Sequence, residues 1–463
     1  MSPIYRYATA FCPVLITAGC LILSHRWRHR RRREGIAAAI VAKILDIKAT
    51  QPNNCMAQAF EQSYYDSLPK DKRKRLLACC SSGIANPESC MGCYAMKPED
   101  YDDFYPFFIK ALSQYHKIDF TDKKHGVSNW SLAGVEGIPE SGILDLSDFD
   151  LPVVSMRVRA GRNLNKYPLP GAMKKRDRVD MEKDMRNVFD ELIANPAYGG
   201  KYVSITPGHE CFIDRAEYKE YVDAHIIFKD MSTDPFLVSA GIAGDWPHGR
   251  GCYVSEDKEV IIWLGEEDHL RIICMKRGTV LNEVFDRLKT VVDAVERIID
   301  GGCAISGNFG VVTSCPTNSG TAMRASLHMP IPNLTAGGSD AKANEIGRLL
   351  GLSVRGVDGE HTPIGHTGIV DISPSARFCI SEAEIMAALY KGVRLLKKEE
   401  DERARDGPEG SPEALEVGVH TVVASSVGMG LAMVSITAAG VMVGKWTFAT
   451  ALFGCFESKF AAK

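Results

Sequence analysis

Residues 314–328 read Ser-Cys-Pro-Thr-Asn-Ser-Gly-Thr-Ala-Met-Arg-Ala-Ser-Leu-His. Cys315 precedes the turn-forming Pro316, Thr317 offers a hydroxyl to a thiolate, and Arg324 adds a fixed positive charge. Donors and cations beside sulfur lower its pKa and keep it anionic. Such a sulfur can hold a cationic substrate or attack an electrophile; with no obvious catalytic base beside Cys315, holding a cation is the better reading. A second constellation runs from Trp263 to Arg271, where the apolar stretch Val260–Leu264 reads as a buried strand and Glu266, Glu267 and Asp268 follow at once. Adjacent acids repel unless cations offset them. A third is a glycine-hinged loop carrying Arg355, Glu360 and His361. The fourth is Ser155-Met-Arg-Val-Arg159, whose strand-like alternation puts Arg157 and Arg159 on one face.

Together these stretches resemble the ATP:guanidino phosphotransferases, the family of arginine kinase and creatine kinase. The matching runs are SMRVRAGR from Ser155, WPHGRG from Trp246, EEDHLRI from Glu266, CPTNSGTAMRASLH from Cys315 and RGVDGEHT from Arg355, in the family's order. The resemblance is closest to arginine kinase. It implies that Arg157, Arg159, Arg271, Arg324 and Arg355 bind the phosphates of ATP or ADP, and that His225 and His328 lie beside the adenine. It also implies that Glu267 and Glu360 align the acceptor guanidinium and remove its proton, while Cys315 acts on it electrostatically. Mg2+ would arrive with the nucleotide, coordinated by phosphates and water, so no protein ligand to metal is named. Physical logic agrees: phosphoryl transfer needs in-line positioning and positive charge around phosphate, and the planar fork of arginine binds phosphate oxygens in pairs. Taken singly, the arginines also read as surface ion-pair partners, Glu267 as a partner of Arg271, and the histidines as satisfied core residues.

No GxxxxGK[ST] loop and no protein-kinase His-Arg-Asp signature occurs, so side chains must hold the phosphates. Cys90 and Cys93 form a C-x-x-C beside Cys79 and Cys80 but lack a second pair at zinc-finger spacing. The same region aligns with the family's acceptor loop, assigning substrate contacts to Ser89, Cys90, Met91 and Tyr94 along with Glu267, Cys315 and Glu360. Cys90 and Met91 depart from the small residues usual there, and Gly265 departs from the asparagine usual before the acids. Added bulk at Cys90 and Met91 is expected to narrow the pocket or shift the acceptor; the missing amide at Gly265 is expected to loosen the strand end.

These residues need a scaffold. With 463 residues, 45% hydrophobic and 24% charged, the chain is long enough for two globular domains plus extensions, and a net charge of −3 argues against nucleic acid as the main partner. Fourteen cysteines without a disulfide framework point to a reducing compartment. The expected fold is α+β. Residues 36–130 form a small all-helical substrate-specificity domain, 131–150 a connector, and 151–400 a catalytic domain with an antiparallel sheet flanked by helices. Within it Gly251–Leu264 reads as a hairpin, Val280–Ile299 as an amphipathic helix, and Tyr202–Pro207 and Phe309–Thr313 as short strands of the sheet.

The ends read differently. Tyr7–Leu23 is apolar apart from two threonines, and His25–Arg33 follows with a basic block, so residues 1–35 read as a membrane anchor or targeting segment. Residues 401–416 read as a charged linker. Val417–Gly444 contains no Asp, Glu, Lys or Arg, so 417–463 reads as a second membrane segment, with a hydrophobic helix docked on the catalytic domain as the alternative. The expectation is a membrane-tethered kinase facing the cytosol, with a mitochondrial location as the alternative, moving the γ-phosphoryl of MgATP onto arginine. Another guanidino acceptor such as taurocyamine, or a non-catalytic nucleotide-binding scaffold, are the rival readings.

Overall fold

A computed structural model of the chain describes residues 34–119, 128–336, 339–357 and 368–406. Its centre is an antiparallel sheet whose strands are β1 (Val154–Arg162), β2 (Lys201–Ser204), β3 (Gly251–Val254), β4 (Val260–Leu264) and β5 (Leu270–Gly278), joined by β8 (Met323–Pro330), β9 (Leu352–Gly356) and β10 (Ile369–Pro374). The order across these eight strands is β2-β3-β4-β5-β1-β8-β10-β9. Two further strands, β6 (Ile305–Ser306) and β7 (Gly310–Val311), form a separate ribbon. Residues 309–313 therefore do not extend the main sheet as expected: only Gly310 and Val311 pair, with β6, and the run folds back towards Gly320 instead.

Period-two alternation decides what each face of this sheet carries. Met156, Val158 and Ala160 point inward from β1, with Ile262 and Leu264 from β4, Ile272 and Cys274 from β5, Leu327 and Met329 from β8, and Val370 and Ile372 from β10. Helices Lys175–Ala194, Leu281–Ile298 and Glu382–Asp406 cover that face, joined over β9 by Ala341–Leu349. Leu281–Ile298 buries Leu281, Val284, Phe285, Leu288, Val291, Val292 and Val295, one stripe at helical spacing. It matches the expected amphipathic helix closely, and β3 with β4 forms the expected hairpin.

Helices over 34–50, Cys55–Ala59, Gln62–Ser67, Lys70–Cys79, Ser81–Ala85, Asp100–Asp103 and Tyr105–His116 make up the helical part. Its apolar core continues into the catalytic part through Phe309, Val312, Cys315 and Phe378. Polar ties run the same way: Tyr101 donates its hydroxyl to the Thr313 carbonyl at 3.0 Å and accepts from Ser319 at 2.8 Å.

The expectation of membrane-spanning segments at both ends is corrected. Among the described residues no helix is long and apolar enough to cross a membrane. The long ones are amphipathic: each buries one stripe on the sheet and carries charge along the rest. Tyr7–Leu23 and Val417–Gly444 lie outside the described residues.

At the β2 edge, the buried carboxylate of Glu182 accepts from Tyr202 (2.8 Å), Ser204 (2.6 Å) and Thr206 (2.6 Å), pinning helix Lys175–Ala194 to that edge. Glu182→Ala leaves these hydroxyls unsatisfied and is expected to cost at least about 2 kcal/mol, read from the midpoint of urea unfolding. A loss below about 0.5 kcal/mol, as for an ordinary surface change, would contradict this account of the edge.

Candidate active site

The second face of the sheet gathers the arginines. On β1, Arg157 stands opposite Met275 of β5 and Ser326 of β8, and Arg159 opposite Ile273 and Arg324. Gly161 of the same face stands opposite Arg271, which pairs in turn with Trp263 of β4. Across the other strands, His328, Asp371 and Arg355 form a row over β8, β10 and β9. Directly opposed residues share a face, so strand register alone places Arg157, Arg159, Arg271, Arg324 and Arg355 together. The like charges are felt: Arg159 is pushed well down by burial first and then by Arg271 and Arg157, and Arg157 is lowered by burial, with Asp371 opposing and Arg355 adding to the fall. Arg324 Nε is buried with no hydrogen-bond partner among the described residues. A half-buried surface with this excess of guanidinium fits a polyphosphate, whose oxygens would supply the missing acceptors.

Among the described residues, carboxylates offset part of this charge. Arg271 meets Glu266 at 2.8 Å and Glu267 at 3.4 Å, and Arg355 meets Asp371 at 3.3 Å. The acids Glu266, Glu267 and Asp268 occupy the β4–β5 turn. Gly265 opens that turn at φ +74, and a Cβ there would stand 2.5 Å from the Gly249 carbonyl oxygen. Glycine enters this left-handed region without steric cost, and the close approach of Gly249 leaves no room for a side chain at this position as the turn stands. Gly265 N–H bonds the His269 carbonyl at 2.9 Å, closing the backbone across the turn.

Glu267 faces a different neighbourhood. Asn318 Nδ2 donates to its Oε2 at 3.1 Å. Burial first, and Glu266 second, push its carboxyl up to about 8, with Arg271 and Asn318 opposing. Cys315 lies in the same corner, its sulfur 3.2 Å from the Thr317 hydroxyl. The expected anionic sulfur is corrected: burial, then Glu267, push the thiol up to about 12 despite Thr317. Sequence showed the hydroxyl and the cation but could not show that the sulfur is enclosed beside an acid. What results is two acidic groups, both pushed towards the neutral form by burial, Glu267 further by Glu266 and Cys315 further by Glu267, around a spot where an incoming cation would favour the ionised forms.

Asp268 fixes this corner. Its Oδ1 accepts from Ser314 N–H at 2.6 Å and from Asn163 Nδ2 at 2.8 Å, tying the acid turn to the cysteine loop. Gly161 passes so close that a Cβ would sit 3.2 Å from Asp268 Oδ2. Arg377, which sequence reading missed, donates from Nη1 to the Thr317 carbonyl at 3.2 Å and acts electrostatically on Cys315 and Glu267. It follows Pro374 in a loop without periodic pattern, so only its charge could have flagged it. Asn318 and Asp268 lay inside the matched motifs without an assigned role.

The remaining expected residues distribute unevenly. Loop residues Ser89–Tyr94 reach the corner through the Ala95 N–H bond to the Ser314 carbonyl at 2.8 Å. Tyr94 is buried, and its hydroxyl is pushed up by burial and then by Cys315 and Glu267. Ser89 is half-buried and Cys90 exposed, whereas Met91 packs into the helical core with its sulfur 3.6 Å from Cys93. The bulk at Met91 is thus directed inward rather than across the loop. His328 joins the Asp371 row at 3.8 Å. His225 is exposed in the turn after helix Arg215–Asp223, beside Ile226, whose carbonyl accepts from Trp263 Nε1 at 2.7 Å. Strands β5 and β1 lie between β4, which carries Trp263, and β8, which carries His328. Glu360 lies outside the described residues.

Comparison with known proteins agrees with this geometry. Residues 180–403 match the model of the ATP:guanido phosphotransferase C-terminal catalytic domain, and residues 50–111 match that of the N-terminal domain. Arginine kinase Oct f 2 of Amphioctopus fangsiao is 33% identical over 76% of this chain and 96% of its own length. Arginine kinase 1 of Drosophila melanogaster is 30% identical over 78% of this chain and 98% of its own. Among solved structures, the duplicated taurocyamine kinase from Schistosoma mansoni with bound transition-state-analogue components superposes with a TM-score of 0.66 at 27% identity. That match covers 79% of this chain, which spans about half (48%) of the duplicated enzyme.

Because Asn318 donates to the Glu267 carboxylate, removing its amide destabilises the charged form. Asn318→Ala is expected to raise the Glu267 titration midpoint further above its value of about 8, read by carbon-13 NMR of labelled glutamate. A midpoint that stays or falls would contradict the contact's role.

Proposed function

The chain belongs to the ATP:guanido phosphotransferase family, and from that premise we propose that it transfers the γ-phosphoryl group of MgATP reversibly to the guanidinium of arginine. It is a phosphagen kinase that uses MgATP. The observation that carries the acceptor side of the reading is the convergence of Glu267, Cys315 and the loop bearing Tyr94 on one corner beside the arginine face. That the curated relatives over nearly their whole length are named arginine kinases favours arginine as the acceptor.

In this reading Arg157, Arg159, Arg271, Arg324 and Arg355 hold the phosphates and stabilise charge as it builds on the transferring group. Magnesium is part of the nucleotide substrate, and its oxygen ligands would come from phosphates and water. A guanidinium is a poor nucleophile until it sheds a proton. Glu267 takes that proton as the nitrogen–phosphorus bond forms and the bond to ADP breaks, and Cys315, a neutral thiol in the free enzyme, lies against the cationic carbon–nitrogen plane, whose charge favours its thiolate. By the family resemblance Glu360 supplies the second carboxylate, and His225 and His328 flank the adenine. Arg377 braces the Cys315 loop from behind.

Taurocyamine is the second reading. It is favoured by the departure at the exposed Cys90 and by the solved taurocyamine kinase. Coupled assays on the full chain with arginine, taurocyamine and creatine rank the acceptors. Arginine is expected to give the highest kcat/KM, and Glu267→Gln to lower kcat by about 100- to 10,000-fold; taurocyamine leading would reassign the acceptor, and an unchanged Glu267→Gln rate would remove the base.

The raised carboxyl makes a further outcome testable. Below its value of about 8 the Glu267 carboxyl of the free enzyme is mostly neutral. A bound guanidinium favours the carboxylate, so acceptor binding expels a proton and affinity rises as pH approaches about 8. Calorimetric titration near neutral pH in buffers of different ionisation enthalpy should show net proton release. Zero release, or uptake, would contradict the ionisation of this corner by substrate.

A further inference from the structure

Phosphoryl transfer leaves one reactive pair of side chains unexplained, in the helical part. Cys55 is buried at the first turn of helix Cys55–Ala59, and Cys90 is exposed at the start of the loop that ends at Tyr94. The Cys55 N–H donates to the Cys90 carbonyl at 2.8 Å, which sets the two cysteines side by side, and each thiol shifts the other's titration. Bond lengths alone then cap the Cα separation at about 7 Å, and bond angles bring it towards the roughly 4.4–6.8 Å that a disulfide spans. Neighbouring contacts hold this register: Met56 N–H bonds the Met91 carbonyl at 2.9 Å, Gly83 N–H bonds the Gly92 carbonyl at 2.7 Å, and Asn54 Nδ2 bonds the Pro87 carbonyl at 3.0 Å.

The other thiols nearby are chemically quiet. Burial pushes Cys79, Cys80 and Cys93 up, which keeps them protonated. Cys90 moves the opposite way: the Cys55 thiol draws it below the ordinary thiol range, burial opposes this, and the Lys117 ammonium adds to the fall. The pair therefore places its thiolate on the exposed Cys90, with the buried Cys55 beside it.

We propose that Cys55 and Cys90 form a reversible disulfide that staples the acceptor loop to the helical domain and weakens acceptor binding. The cross-link stands on the Cys55–Cys90 backbone bond and the register around it; its effect on the acceptor rests on the reading of residues 89–94 given above. The oxidant is a peroxide. The Cys90 thiolate attacks one peroxide oxygen, the oxygen–oxygen bond breaks, and Cys90 becomes a sulfenic acid with release of one water. The Cys55 sulfur then attacks Cys90, and the hydroxyl leaves with the Cys55 proton as a second water. Two thiols and one hydrogen peroxide thus become one disulfide and two waters; the sulfurs are oxidised and the peroxide reduced. A dithiol reverses the bond by exchange. Bonding draws the sulfurs to about 2.05 Å and pulls the loop with Cys90 towards helix Cys55–Ala59, so the loop can no longer follow an acceptor at the Tyr94 end.

The test treats the full chain with graded hydrogen peroxide, quenches free thiols, and maps peptides without reduction, while KM is measured for the acceptor that is turned over and for MgATP. A Cys55–Cys90 peptide is expected at doses that leave Cys315 unmodified. Acceptor KM should rise on the order of tenfold, equivalent to about 1.4 kcal/mol, nucleotide KM should hold, and dithiothreitol should restore both. Cys55→Ser is expected to keep the reduced enzyme's rate and to lose the reversible KM response; Cys55→Ala serves if the serine variant folds poorly. Absence of the 55–90 peptide at doses that oxidise Cys315 would overturn the cross-link. A peptide that forms while acceptor KM stays fixed would overturn the control of the loop, and turnover of an acceptor other than arginine would revise the function while leaving the peptide result intact.

Discussion

Everything at this site depends on holding like charges together. Arg159 and Arg324 stand directly opposite one another across β1 and β8, a pairing that costs stability in an ordinary sheet. The inner face bears the cost. Met156, Val158 and Ala160 of the same strand, with their neighbours, are buried under the helices of that face, and that packing sets a register which the charges alone would disperse. The result is an array of guanidinium groups fixed before any phosphate arrives, so little reorganisation remains to be done as charge develops.

Acceptor chemistry needs the opposite balance, and the fold supplies it within one turn of chain. The β4–β5 turn delivers Glu266 to Arg271 and aims Glu267 at the cysteine loop. Asp268 joins the two segments through Ser314 and Asn163, and the Ala95–Ser314 bond joins the helical part to the same point. Here the charges are withheld: Glu267 and Cys315 both favour the neutral state until a cation enters. A site that is strongly cationic on one side and conditionally anionic on the other can bring a polyphosphate and a guanidinium together while each is drawn to its own half.

Much of this was legible in the sequence because it depends on local period and motif spacing. Alternation on β1 placed Arg157 and Arg159 on one face, and the stripe in Leu281–Ile298 read directly as a helix. What failed depended on enclosure. Thr317 and Arg324 pointed to an anionic Cys315, yet burial beside Glu267 outweighs them. Met91 read as bulk across the acceptor loop but packs inward. Residues 309–313 read as a strand of the sheet but pair only locally. Arg377 carries no pattern, since its importance comes from where a loop returns in space. Apolar runs at the two ends read as membrane spans from hydropathy alone, and no described helix supports that.

Phosphorus-31 saturation-transfer NMR on the full chain with MgATP and arginine tests the central claim most directly. The account predicts a new N-phosphoryl resonance that exchanges with the γ-phosphorus of ATP, and its loss when MgADP is supplied in excess. A γ-phosphorus signal that converts only to inorganic phosphate, with no exchanging N-phosphoryl species, would contradict it.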